Sequence, residues 1–250
     1  MNMNSRLSKS HRKAIEEGKL VESINALDTG TFAAQLCDTT TVSEAEKKFK
    51  EKTGKCLELS LLSADALKRD CKNVLEACFD LVEESSADDY KASDIRWSSA
   101  KKRKEMLLPD MKYLVVHQRS GSEDRTAPGT SICAFVSFMI TYEDGYEVIY
   151  VYEIHLERHL RGQGVGTVLM QMVESVGRNA WVEKCMLTVF KANQKALKWY
   201  EHCGYQIDDF SPGPRVLRNG TIKEPTYLIL SKSLKTVLEP QSCAAAQRAS

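Results

Sequence analysis

The run Arg161-Gly162-Gln163-Gly164-Val165-Gly166 constrains this chain more than any other stretch. Before it, residues 147–156 (EVIYVYEIHL) read as a strand; after it, Val165, Leu169, Met172, Val173 and Val176 recur at helical spacing. Residues 185–190 then read as a buried strand, which makes the segment a β-α-β unit. Three glycines between a strand end and a helix start gather backbone N–H groups at the positive end of that helix, a local chemistry that binds phosphate. Arg161 can add a charge-assisted contact. A P-loop ends in Gly-Lys-Ser/Thr and the dinucleotide fingerprint has two residues before its last glycine; neither pattern is present. A plain tight turn is the alternative reading of the loop taken alone.

The flanking chain supplies the rest of an α/β (α+β) domain. Leu57, Leu59 and Leu61 alternate with polar residues as a half-buried strand does, and Leu67, Cys71, Val74, Leu75, Cys78, Leu81 and Val82 predict one long amphipathic helix. Residues 112–118 and 131–142 read as a hairpin of strands with a long connection at 119–129, and Asp144-Gly145 turns the chain into strand 147–156. Asn193 can cap a helix that Gly204 stops, and residues 205–207 and 226–233 read as the last strands, joined by a loop at 211–220. The expected boundaries are an N-terminal arm at 1–55, partly disordered or helical, a domain at 56–237 and a disordered tail at 238–250.

A 250-residue chain with 42% hydrophobic and 28% charged residues can bury a sizeable core. No apolar run approaches the roughly 20 residues of a membrane span. Net charge is only +1, so the clusters matter: a basic run at 96–104 (RWSSAKKRK), read as a solvated face, and the acids Glu143, Asp144, Glu147, Glu153 and Glu157. Neither a nucleic-acid motif nor a membrane anchor accompanies the basic run. The eight cysteines form no C-x-x-C pair, so no metal site is expected; free thiols and a nuclear and cytoplasmic setting are.

The segment R-G-Q-G-V-G resembles the R/Q-x-x-G-x-G/A motif of the GNAT acetyltransferases, and the order of elements is similar to theirs. Asn193, Ala196, Tyr200, Gly204 and Tyr205 match a second signature of that family. Within it, Y-x-Y-E-I-H-L and L-T-V-F-K-A-N most resemble N-terminal acetyltransferases of the NatD type. The resemblance covers roughly residues 55–235 and implies a GNAT fold: a mixed seven-stranded sheet flanked by helices, with an N-terminal arm. It implies acetyl-CoA as donor and a protein N-terminus as acceptor, here the Ser-Gly-Arg-Gly start of histones H-four and H-two-A. A monomer is expected. By the same resemblance, Ile154, His155 and Leu156 hold the acetyl-pantetheine portion through their backbone. Arg161, Gly162, Gln163, Gly164, Val165, Gly166 and Thr167 cradle the diphosphate, and Asn193 touches the cofactor beyond it. Tyr90, Thr141, Tyr142, Glu143, Tyr152, Thr188 and Tyr227 fall where NatD lines its peptide pocket. Thr141 stands where those enzymes carry an acid, and Ile95 where an aromatic is familiar.

Acetyl transfer to an amine needs a neutral nitrogen, a polarised carbonyl and a proton for the leaving thiolate. Glu153, beside Tyr152, is the expected base, with burial raising its pKa. By the family resemblance Tyr200 is the expected acid, and Glu143 is the expected ligand of a cationic acceptor. Two rival readings are a lysine or polyamine acetyltransferase and a non-catalytic acyl-CoA-binding or chromatin-docking module.

Overall fold

The computed structural model describes residues 17–37, 39–91, 93, 96–119 and 130–235. Residues 1–16, Ile95, the connection at 120–129 and the tail at 238–250 lie outside the described residues.

Three helices open the described chain: α1 (Leu20–Asn25), α2 (Thr29–Leu36) and α3 (Thr39–Thr53). Asp28 caps α2 by accepting from the Thr31 N–H at 2.9 Å. Leu20, Ile24, Phe32, Leu36, Ala45 and Phe49 all enter the main hydrophobic core. From Leu20 to Phe49 the arm is helical and packs into the domain. Its charged sequence hides a narrow apolar stripe, and each fully buried aliphatic or aromatic side chain contributes about 1.5–3 kcal/mol.

Strand β1 (Leu57–Ser63) leads into α4 (Ala64–Arg69) and α5 (Lys72–Lys91), then α6 (Ser99–Met106). The single helix expected from Leu67 onward is broken at Asp70, which closes α4, and α5 restarts at Lys72. Both helices still bury the expected stripe, with Leu67, Val74, Leu75, Cys78, Leu81 and Val82 in a second core beneath Tyr113 and Phe135. Ser98 caps α6, whose Arg103 stacks on the Phe79 ring at 3.5 Å and pairs with Glu76 at 2.8 Å.

Strands β2 (Lys112–Arg119), β3 (Thr130–Glu143) and β4 (Tyr146–Leu156) form an antiparallel meander. Then come α7 (Val165–Asn179), β5 (Lys184–Phe190), α8 (Gln194–His202), β6 (Gln206–Ile207), β7 (Arg215–Val216), β8 (Ile222–Lys223) and β9 (Tyr227–Ser233). The central sheet has seven strands in the order β1-β2-β3-β4-β5-β9-β6. It is mixed, because β4 and β5 run parallel, joined by the crossover through α7. The expected loop at 211–220 is partly ordered: β7 and β8 pair as a small separate hairpin. No helix among the described residues is long and apolar enough to cross a membrane.

Two irregularities position the site. Strands β4 and β5 pair only from Val148/Lys184 to Val151/Leu187, so beyond Val151 the two strands part and the sheet forks. At the same point β4 bulges: Ser137 faces Glu153 while its neighbour Phe138 faces Val151, leaving Tyr152 as the extra residue.

Candidate active site

The fork opens into a cavity of about 950 Å³ between β4, β5, α5, α7 and α8. The bulge decides what faces it. Strict alternation would put Tyr150, Tyr152 and Ile154 on one face and Glu153 and His155 on the other. With one residue inserted at 152, Tyr150, Tyr152, Glu153 and His155 all line the cavity. Tyr150 and Tyr152 stand with ring centroids 5.4 Å apart, and the Tyr150 hydroxyl lies 2.6 Å from the Thr188 Oγ1 across the gap. Tyr90, at the end of α5, packs edge-on against Phe190.

At the closed end sits a charged cluster. Lys102 Nζ lies 2.6 Å from Glu153 Oε1, from Glu105 Oε1 and from the Tyr90 hydroxyl. His155 Nε2 lies 2.5 Å from Glu153 Oε2, and its Nδ1 lies 2.6 Å from the Ser85 hydroxyl. An ionised carboxylate only accepts, so the His155 Nε2 carries a proton toward it. Burial, the largest single influence, pushes the Glu153 carboxyl up, but the hydrogen bond from His155, then the charges of His155 and Lys102, outweigh it and hold the group down at about 2. The expectation that burial leaves Glu153 with a raised pKa is thus overturned. Glu143 is raised by burial and by Asp144. Tyr200 is raised by burial and by the Glu153 charge; its hydroxyl has no hydrogen-bond partner among the described residues.

At the other end of the cavity, α7 begins at Gly164, whose φ of 78° is the left-handed conformation that glycine adopts freely, and Gly162 has φ 75°. A glycine N-cap has no side chain to accept from the first turn. The N–H groups of Val165, Gly166 and Thr167 consequently find no acceptor among the described residues. Arg161 Nε donates to the Leu156 carbonyl at 3.0 Å, fixing its guanidinium at the rim. The Lys52 ammonium, from the last turn of α3, rests over this turn: a Cβ placed on Gly164 would lie 3.0 Å from Lys52 Nζ. Asn193 accepts from the Ala196 N–H at 3.1 Å, capping α8, and donates to Asp89 on α5 at 3.2 Å.

The sequence model of the Acetyltransferase (GNAT) family matches residues 71–205, more than half of the chain. The chain belongs to this family. N-alpha-acetyltransferase 40 of Saccharomyces cerevisiae is 30% identical over 165 residues, which are 56% of this chain and 54% of that relative. The chain thus spans about half the length of the curated relative it matches. Among solved structures, smu.2055 from Streptococcus mutans UA159 is 16% identical with a TM-score of 0.48, over 71% of this chain and 99% of the other. The PaiA N-acetyltransferase of Thermoplasma acidophilum, solved in complex with coenzyme A, is 15% identical with a TM-score of 0.46, over 71% and 98%.

Of the residues singled out for a GNAT site, the cavity brings together Tyr90, Glu143, Tyr152, Glu153, Ile154, His155, Leu156, Arg161, Gly162, Gly164, Gly166, Thr167, Thr188, Asn193 and Tyr200. Others fall elsewhere. Tyr142 points to the opposite face of β3, where its hydroxyl bonds the Gly18 carbonyl at 3.2 Å and Glu22 at 3.0 Å, so it anchors the arm and does not line the pocket. Gln163 turns its amide back onto the His159 carbonyl, and the Val165 side chain is buried in the core; both can offer only backbone. Thr141, paired with Val148 on β3, and Tyr227, paired with Phe190 at the start of β9, stay outside the cavity lining.

Sequence reasoning missed Lys102, Glu105, Ser85 and the Lys52 contact. Lys102 had a signal: it precedes Met106 by four residues and so shares the buried face of α6, a place where an ordinary surface lysine does not sit.

Proposed function

We propose that this protein transfers the acetyl group of acetyl-CoA to the α-amine of a protein N-terminus. The observation that carries the reading is the bulge at Tyr152 beside the fork, which sets two tyrosines, an ionised carboxylate and the Tyr200 hydroxyl around one cavity whose far end is an anion cradle.

The cradle fits the donor. Three unsatisfied N–H groups, Arg161 and Lys52 suit a diphosphate. The edge of β4 that β5 leaves uncovered beyond Val151 offers backbone groups to amides of the pantetheine arm. Bound there, acetyl-CoA supplies an acetyl thioester at the bend of β4.

The acceptor end favours an α-amine. Glu153, clamped between Lys102 and His155, is a weak base; its remaining lone pairs can orient the amine or one water, but they do not hold a proton taken from a strongly basic group. An α-amine asks little: with a pKa near 7.7–8.0 its deprotonation near pH 7.4 costs about 0.5 kcal/mol, against about 4 kcal/mol for lysine. The amine nitrogen bonds the carbonyl carbon, the C–S bond breaks, the Tyr200 hydroxyl, protonated at neutral pH, donates to the departing sulfur, and the proton shed by the newly acylated nitrogen, passed through water oriented by Glu153, restores Tyr200. Glu143 gives the mouth a negative charge that suits a cationic segment. The Ser-Gly-Arg-Gly start of histones H-four and H-two-A is such a segment, in a protein that would work in nucleus and cytoplasm as a monomer. The name of the yeast relative supports α-amine chemistry.

The test is mass spectrometry of a Ser-Gly-Arg-Gly peptide incubated with enzyme and acetyl-CoA, beside an Ala-first peptide and a peptide with a blocked N-terminus that contains lysine. Acetyl on the terminal nitrogen of the first is expected. Acetylation of the blocked peptide at a comparable rate would overturn the proposal in favour of lysine, and binding of acetyl-CoA without turnover would point to a docking module.

A further inference from the structure

Lys102 belongs to a run of four basic residues in five, the kind of stretch that normally faces water. Its side chain is only 4% exposed, and all three ammonium donors are used, on Glu153, Glu105 and the Tyr90 hydroxyl. The contact joins three elements: α6 gives Lys102 and Glu105, α5 gives Tyr90, and β4 gives Glu153. Attraction of a cationic acceptor does not by itself explain this arrangement, because a carboxylate that only attracts a positive segment needs neither burial nor a buried cation.

We infer that Lys102 is a positioning residue which keeps Glu153 an ionised, correctly oriented carboxylate at the back of the acceptor cavity. The inference rests on reading that cavity as the acetyl-transfer site. A carboxyl enclosed as Glu153 is would, alone, favour its neutral form. The groups that face it are Lys102 and Glu105 from α6, Ser85 and Tyr90 from α5, Tyr113 from β2, Ser137 from β3, Tyr152 and His155 from β4, and Tyr200 from α8. Lys102 is the permanent cation among them; His155 is a cation only when doubly protonated. Without Lys102, the permanent charge that faces Glu153 would be gone, and His155 alone would stand against the cost of burying the carboxylate. The same bond fixes the carboxylate's rotation: one oxygen is held by α6, the other by His155, and the remaining lone pairs are aimed at the cavity.

The experiment compares kcat/KM for the N-terminal peptide between pH 5.5 and 9 in the full-length wild type, Lys102→Met, Lys102→Arg and Glu153→Gln. The wild type is expected to show one rise, set by the acceptor amine. Lys102→Met is expected to add an acid limb, so that its activity relative to wild type falls a further tenfold or more between pH 8 and pH 6; Lys102→Arg, which keeps the charge, should retain the wild-type shape. A loss in Lys102→Met by the same factor at every pH, or no loss, would overturn the inference. Carbon-13 NMR of the wild-type Glu153 carboxyl keeps the inference testable if Lys102→Met does not fold: the signal should remain that of a carboxylate down to about pH 4, and titration above that pH would refute it. Glu153→Gln with full turnover would instead remove Glu153 from the proposed chemistry, leaving the NMR result to judge Lys102 by itself.

Discussion

Glu153→Gln has a stability consequence that can be worked from the structure. In the fold the Glu153 carboxyl drops from its ordinary 4.5 to about 2. At about 1.4 kcal/mol per unit, that is a stabilisation of about 3 kcal/mol at neutral pH. The sign follows from the depression: the stabilisation is complete above the unfolded value, begins to fade as the pH falls past it, and is lost on passing through the folded value. Replacing the carboxylate by an amide removes this charge-dependent part and leaves the buried Lys102 with only Glu105 as an anion. Urea denaturation of both proteins at pH 7 should therefore show the variant less stable by about 3 kcal/mol, with an unchanged denaturant slope. The gap should narrow by about 1 kcal/mol on going to pH 4, because only the wild type still has this carboxylate to lose. A gap below about 1 kcal/mol at pH 7, or one that stays constant down to pH 4, would refute the argument that Lys102 and His155 overcome the cost of burying Glu153.

Three further outcomes are expected. Phe49→Ala, in the arm, should cost about 3–5 kcal/mol by chemical denaturation, as a core aromatic does; a surface-like loss under 1 kcal/mol would return the arm to the status of an appendage. Lys52→Ala should raise KM for acetyl-CoA by about 3–10-fold, the scale of one exposed charge-assisted contact, with kcat unchanged; an unaltered KM would separate α3 from the donor site. Tyr200→Phe should lower kcat about tenfold or more with little change in either KM, and an unchanged kcat would exclude the hydroxyl from proton donation.

The donor half of the site was legible because its information is local. Glycines at 162 and 164 advertise left-handed backbone, the spacing after Val165 advertises a helix, and Asn193 advertises a cap. Each needs only its sequence neighbours. The acceptor half depends on register. Nothing between Tyr146 and Leu156 signals that Tyr152 is an extra residue; the bulge exists in relation to Ser137 and Phe138 on another strand. Period-two reasoning therefore separates Tyr152 from Glu153, although the same alternation does set Tyr142 on the face opposite Glu143, where its hydroxyl meets Gly18 and Glu22. The Glu153 pKa failed for a related reason. Burial was foreseeable from the strand; of the two groups that offset it, His155 reaches Glu153 only because the bulge turns both into the cavity, and the Lys102 ammonium arrives from a helix 51 residues away. In the arm, helices were foreseeable but their packing was not: long polar stretches between Leu20, Ile24, Phe32, Leu36 and Phe49 dilute an apolar stripe that becomes continuous only when three helices are folded side by side.

One glycine in α7 governs more than its own helix. A Cβ on Gly177 would lie 2.8 Å from Ile149 Cγ2 on β4 and 2.5 Å from Leu234 Cδ1 just beyond β9. Both partners lie where the sheet is still joined, Ile149 paired with Cys185 and Leu234 next to Ser233, which faces Lys184, so α7 lies across the stem of the fork like a wedge, and its thickness at Gly177 sets how closely the helix rests on that stem. Gly177→Ala would thicken the wedge by one methyl group about 20 Å along the helix from the cradle. The cost should appear less as unfolding than as a cleft whose two walls no longer face each other at the right spacing. Acetyl-CoA affinity would then answer to a residue that the ligand never approaches.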